Sequence, residues 1–582
     1  MMTPRDDNPC RPRHFKPPPC GPMPAEGPVR QSLETCRTRL LATGVLFALA
    51  FLVIAVRLFD VMWLKEDDFK LQHAHVHPRV EISRANILDR NGVVLATTLD
   101  APSVYADPKQ MADASVDPMD AAKKLASVLP DIDVTVLARR FASKSGFVWV
   151  RRQLTPEEEV RVNGLGIPGV LFQNEHRRIY PQGNLAGHVL GYVGIDNNGL
   201  AGIERGLDDE LKTSDDSVQL SIDSRLQYIL QEEIQRQITT FGAQGGLGII
   251  MDVNSGEILA LTSLPEFDPN SPGTIDHDAL FNRATLGTYE LGSVFKIFNT
   301  AMVLDNHVAT LAASFDATHP IHIAGFTIHD DHAKARWLTV PEIFMYSSNI
   351  GSAKMAVEAG AERQEDFLAR LGLLRAPQLE IPEVGRPEFP HPWHLISTMT
   401  VAFGHGISVS PLQMVTAASA VVNGGILHRA TFLKRADRPE GVRVLSTSTS
   451  EDMRRLLRLV VEHGTGRFAE APGYLVGGKT GTAEKVDHKL YARHELLSSF
   501  IGVFPVNQPR YAIFVAIDTP HGNAKTGGEA TGGWVAAPAV SRIVQRMAPI
   551  EGIPPVDESS PEIRRALLVN YGSPSVPKLA AN

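Results

Sequence analysis

Apolar positions along this chain fall into runs of three kinds. The first covers residues 40–56, seventeen in a row without a charge, and beyond Arg57 it continues through Leu58, Phe59, Val61, Met62, Trp63 and Leu64. That length suits one helix crossing a bilayer over residues 40–64, with the Arg57 head snorkelling to an interface. The second kind is short and bounded by turn residues. Residues 247–253, a turn at Asn254-Ser255-Gly256 and residues 257–261 predict a hairpin, while 499–504 and 511–517 predict two further strands. The third kind is helical: 294–304, 338–346 and 350–356 carry apolar residues at the spacing of buried helices. A strand pair, a long helical middle and then more strands predict one sheet closed by both ends of a domain.

The flanks of the first run orient it. Arg5, Arg11, Arg13, Lys16, Arg30, Arg37 and Arg39 precede it and Glu66, Asp67 and Asp68 follow, so the N-terminus is expected in the cytoplasm and the bulk of the chain outside the membrane. A cleaved signal peptide is the competing reading, but its small-residue site, Ala48-Leu49-Ala50, falls inside the apolar run and far from the start. Residues 1–39, with Pro17-Pro18-Pro19, Pro22, Pro24 and Pro28, predict a disordered or extended tail. All three cysteines, Cys10, Cys20 and Cys36, lie in that tail, so the remainder holds no disulfide and must rest on packing. A net charge of −8 on 582 residues of ordinary composition argues against nucleic-acid binding. The last residues, 551–582, rich in Pro and Ser, predict an extended tail.

Chemistry concentrates in three short motifs. Ser293-Val294-Phe295-Lys296 opens a helical run, which places the hydroxyl where unpaired N–H groups favour an oxyanion and puts Lys296 one turn on, on the same face. Lys296 can take the hydroxyl proton only when neutral, and burial with a nearby second cation, Lys479, would lower its pKa. Ser347-Ser348-Asn349 lies between two predicted helices, where Ser347 can relay a proton and the Asn349 amide can hold a substrate peptide. Lys479-Thr480-Gly481-Thr482 sits in a segment reading as an edge strand, with Gly481 permitting close approach of substrate backbone. A second Lys-Thr-Gly at Lys525 lies in glycine-rich loop sequence and is read as a decoy. His329-Asp330-Asp331-His332 lacks the spacing of a metal site and reads as a solvated polar turn.

The order and context of the three motifs resemble the serine penicillin-recognising enzymes, and most closely the class B penicillin-binding proteins. Arg84–Gly92, Tyr180–His188 and Gly199–Glu204 resemble that family's motifs outside the catalytic domain, and Leu291 stands where proline is common two positions before the nucleophile. The resemblance implies an α+β fold: a D,D-peptidase-like transpeptidase domain, an antiparallel sheet with helices on both faces, over 218–550, and an elongated pedestal over 65–217. It implies acylation of Ser293 by the D-Ala-D-Ala end of a peptidoglycan stem peptide, or by β-lactams. Lys296, Ser347, Asn349 and Lys479 would move protons and hold the substrate, Thr480, Gly481 and Thr482 would bind it, and the N–H groups of Ser293 and Thr482 would form the oxyanion hole. No metal or organic cofactor is implied.

Within the family, Ser-Ser-Asn, Glu462–Gly466 and Gly478–Lys485 look like the cell-division type. That points to the septum, the inner membrane, a partner membrane glycosyltransferase and other division proteins. An elongation-type enzyme, an idle penicillin-binding scaffold or sensor, and a secreted β-lactamase are the alternatives, the last needing neither anchor nor pedestal.

Overall fold

A computed structural model of the protein describes residues 41, 43–56, 83–214, 216–437, 439–487 and 490–571, with backbone alone at 486, 487 and 490–494. The chain divides into two units, Met1–Glu81 and Ile82–Asn582. In the first, residues 43–56 are helical and their apolar side chains are exposed. No helix among the described residues is long and apolar enough to cross a membrane. Residues 40, 42 and 57–64 of the expected span lie outside the described residues, as do the tail 1–39 and residues 65–82 and 572–582.

In the second unit the expected sheet is formed by β1 (Gly245–Asp252), β2 (Ile258–Leu264), β3 (Gly477–Asp487), β4 (Leu490–Phe504) and β5 (Tyr511–Asp518). Their order is β3-β4-β5-β1-β2, antiparallel throughout. The β1/β2 hairpin from the start of the domain thus pairs with the strands from its end, Tyr511 opposite Asp252. β1, β2 and β5 read as apolar runs, without polar alternation, because both of their faces are buried. Leu247, Ile249, Met251, Ala512 and Phe514 enter one core; Ile250, Ile513 and Val515 enter the other. Ser224–Phe241 and Ala537–Ile550 cover the second core, and helices that include Lys296–Asp305 and Asn349–Ala359 cover the first.

Ahead of that sheet, Val94–Ala106 pairs with Val170–Ile179 along most of its length, with Val148–Arg151 at its C-terminal end and with Ile87–Leu88 at its N-terminal end. The three sequence motifs of this region meet in one buried ionic node. Glu204 takes Arg84 Nε at 2.5 Å and Arg178 Nε at 2.7 Å, with the Tyr180 hydroxyl at 3.3 Å. Asp208 adds a second acceptor for Arg84 at 2.7 Å. Charges this deep persist because each is paired and hydrogen-bonded.

The C-terminal stretch is not extended up to Tyr571. Val556 N–H donates to Gly473 O, Glu558 pairs with Arg458, Arg455 donates to Ala566 O, and Val569 enters the main core. Pro561–Leu567 is helical, started by Ser560 as its cap. Apolar residues spaced among prolines, Val556, Ile563 and Val569, carry packing that a composition reading misses.

Candidate active site

Ser293 lies in a 3₁₀ turn, Gly292–Phe295, which runs straight into a helix, Lys296–Asp305. Every residue from Lys296 to Leu304 is buried, so the helix is fixed by packing on all sides, and Asn299 donates to Ser352 O of the neighbouring Asn349–Ala359 helix. The Lys296 ammonium nitrogen is 2.9 Å from Ser293 Oγ, 3.0 Å from Ser347 Oγ and 2.6 Å from both Ser347 O and Asn349 Oδ1. Lys479 Nζ approaches Ser347 Oγ from the other side at 3.0 Å and Thr480 O at 3.2 Å. Ser293, Lys296, Ser347, Asn349 and Lys479 thus form one hydrogen-bonded chain, with the Ser347 hydroxyl bridging two lysines.

Both lysines are fully buried. Burial pushes Lys296 down to about 7, against the Asp330 and Asp331 carboxylates, which favour its charged form. Lys479 is pushed well below its ordinary value by burial and then by the like charge of Lys296. Of the two causes expected from the sequence, burial is the one that lowers Lys296, while the like charge between the lysines acts on Lys479.

Ser347 adopts a left-handed conformation, φ 60°, at the end of the Val340–Tyr346 helix, and Ser348 caps the next helix through Gly351 N–H. That turn aims Ser347 and Asn349 at the lysines. Trp337-Leu338-Thr339 is a strand, not the start of a helix; Thr339 and Glu342 form a capping box that sets the true start at Val340. The Asn349 side chain is engaged within the protein, its oxygen on Lys296 and its Nδ2 donating to His329 O at 3.0 Å.

Two contributors escape the motifs. Asp330 accepts the N–H of Asn349 at 2.6 Å and of Ile350 at 3.0 Å, and the Ser348 hydroxyl at 2.7 Å. The supposed solvated turn thus holds the Ser-Ser-Asn helix start; His329, Asp331 and His332 are exposed. Thr465 shares a 2.8 Å hydrogen bond between its hydroxyl and that of Thr480.

Lys479, Thr480, Gly481 and Thr482 lie on β3, the edge strand. Thr482 Oγ1 accepts the Gly532 N–H at 3.1 Å. Gly481 is required by the protein's own packing: a Cβ there would meet Ser499 Oγ at 2.4 Å and Leu291 O, just before the serine turn, at 2.7 Å. Lys525 sits exposed in the short 3₁₀ turn Ala524–Thr526, capped by Asn523.

Residues 246–545 match the family of the penicillin binding protein transpeptidase domain, and residues 79–243 match the penicillin-binding protein dimerisation domain. A probable peptidoglycan D,D-transpeptidase FtsI of Caulobacter vibrioides is 39% identical over 81% of this chain and 82% of its own. The peptidoglycan D,D-transpeptidase FtsI of Escherichia coli K12 is 30% identical over 87% of this chain and 90% of its own. Among solved structures, penicillin binding protein 3 of Mycobacterium tuberculosis in complex with ampicillin shares the fold, with a TM-score of 0.66 at 24% identity, covering 83% of this chain and 98% of that one. On these matches, which span the serine turn, the Ser-Ser-Asn helix and the lysine-bearing edge strand, the chain belongs to the penicillin-binding protein transpeptidase family.

Proposed function

We propose that this protein is a peptidoglycan D,D-transpeptidase that cross-links stem peptides of the septal wall during division. The observation that carries it is the buried chain from Ser293 Oγ through Lys296 and Ser347 to Lys479. Neutral Lys296 takes the Ser293 hydroxyl proton as Oγ attacks the carbonyl between the last two D-alanines of a stem peptide. The N–H groups of Ser293 and Thr482 receive the oxyanion, and the proton passes through the Ser347 hydroxyl to the departing D-alanine amine as the C–N bond breaks. An acceptor amine then attacks the acyl-enzyme ester, restoring the Ser293 hydroxyl. Lys479 supplies positive charge, Asn349 holds Lys296 in line, and Thr480 and Thr482 bind the substrate carboxylate. β-Lactams enter as stem-peptide mimics that acylate Ser293 and stay.

Residues 40–64 are the proposed single-pass inner-membrane anchor, with the N-terminus cytoplasmic, 65–217 the pedestal and 218–550 the catalytic domain outside the membrane. A membrane glycosyltransferase and other division proteins are the expected partners. The exposed apolar side chains of helix 43–56 and the basic residues ahead of them support this placement.

Fluorescent penicillin should label wild-type protein covalently at Ser293, and Ser293→Ala should not label. Lys479→Ala should slow labelling by at least about a hundredfold, the scale of losing an electrostatic group beside the reacting atoms, while Lys525→Ala should leave it unchanged. Undiminished labelling of Ser293→Ala, or equal losses at the two lysines, would sink this assignment.

A further inference from the structure

The serine turn Gly292–Phe295 and the helix after it have no side-chain cap of their own. On one side the turn is bounded by the edge strand: a Cβ on Gly292 would lie 2.6 Å from Thr482 O. On the other side residues 289–292 lie against residues 404–409. Tyr289 and Val409 exchange both backbone hydrogen bonds at 3.0 Å, and a Cβ on Gly404 would lie 2.2 Å from Gly292 O. Backbone pairing at Tyr289 leaves the next three residues to be aligned by other means.

Glu290 supplies that alignment. Its Oε1 accepts the Gly406 N–H at 3.0 Å and its Oε2 lies 3.2 Å from His405 Nδ1. The loop it grips is itself held, since the N–H groups of Gly404 and His405 bond back to Val401 O at 3.1 Å and Thr400 O at 3.0 Å, so up to His405 it offers a fixed platform to which the serine turn can be tied. Leu291 stands where a proline ring would have restricted the backbone ahead of the turn, so that segment takes its alignment from packing and from its contacts to this loop. A carboxylate that binds the loop at two adjacent residues selects one arrangement of loop and turn together.

We infer that Glu290 is a positioning residue for the acylation: by clamping His405 and Gly406 it holds the Gly292–Phe295 turn so that Ser293 Oγ points at Lys296. The inference rests on Ser293 being the nucleophile. Glu290 acts through the loop at His405 and Gly406, so its loss should slow the covalent step without weakening the initial encounter with a β-lactam.

The test follows fluorescent penicillin labelling of the full chain across ligand concentrations, separating the acylation rate constant from the dissociation constant of the non-covalent complex. Glu290→Ala should lower the rate constant by about ten- to a hundredfold, the scale of misplacing a reacting group by a fraction of an ångström to an ångström, with dissociation constant and melting temperature held. Glu290→Gln, whose amide oxygen still accepts the Gly406 N–H, should recover most of the rate. His405→Ala, at a side chain one-third exposed, supplies a second variant that spares the core: a slower covalent step at wild-type melting temperature supports the clamp. A wild-type acylation constant in Glu290→Ala, a Glu290→Gln as slow as the alanine variant, or an unaltered His405→Ala overturns the inference. Failure of the wild type to label at Ser293 would instead strike the functional reading beneath it.

Discussion

Lys296 carries a conflict between stability and chemistry that one side chain must resolve. Its ordinary pKa is 10.5 and burial brings it to about 7 in the folded protein, so between those values the unfolded chain binds a proton that the folded chain has released. Stability therefore rises with pH across that window, and the cost of the buried charge is greatest below about 7. With Lys296 as proton acceptor, acylation should rise with pH through the same point and level off above it, measurable as the pH profile of penicillin labelling. Asp330 pulls the other way, since its carboxylate favours the ammonium; Asp330→Asn should move the rising limb to lower pH, and a limb that stays put or moves up would contradict the placement. Lys296→Met should abolish labelling yet raise the melting temperature near pH 6.5, because it removes a desolvated cation from the core while conserving side-chain bulk.

At the scale of elements, the sequence made the strand hairpin, the edge strand and the buried helix that follows Ser293 legible because each is a continuous segment with its own period. The β1/β2 turn at 254–256, the pairing of both domain ends and the edge position of Lys479 all follow from local runs and their order. Contributions that cross between segments left no local signature. Asp330 reaches Asn349 across an intervening strand, Trp337–Thr339, and helix, Val340–Tyr346, and its spacing to the motif has no period. Thr465 was visible as part of a segment, but its hydroxyl partner Thr480 is set by how the Thr447–His463 helix meets β3. Gly481 was read for what a substrate needs, whereas the space it leaves is filled by Ser499 and Leu291. Gly481→Ala should therefore force β3 and the serine turn apart, costing about 1–3 kcal/mol of stability as overpacking does and slowing acylation. Thermal unfolding together with labelling checks it, and an alanine variant with both properties intact would show that the strand and turn can yield.

At the scale of the whole molecule, the proposed chemistry and the proposed place in the cell rest on different parts of the chain. Every side chain in the proton chain belongs to the unit Ile82–Asn582, in which Ile87–Leu88 pairs in parallel with Val218–Gln219, the strand just ahead of the Ser224–Phe241 helix. Asp89 adds to that contact: its carboxylate accepts both N–H and hydroxyl of Ser224, at the start of the Ser224–Phe241 helix. The apolar helix of residues 43–56 belongs to the other unit, Met1–Glu81. A chain whose residues 1–64 are replaced by a cleavable export signal should accordingly label with penicillin at the full-length rate. It should fail to restore division in cells depleted of the native protein, because release from the membrane turns a two-dimensional encounter with division partners into a dilute three-dimensional one and lowers their effective concentration. Depletion itself should leave cells elongating without closing septa, since the proposed substrate is septal wall and side-wall synthesis would continue. Cells that round and swell on depletion would favour an elongation role, and full rescue by the exported soluble form would remove the anchor from the mechanism.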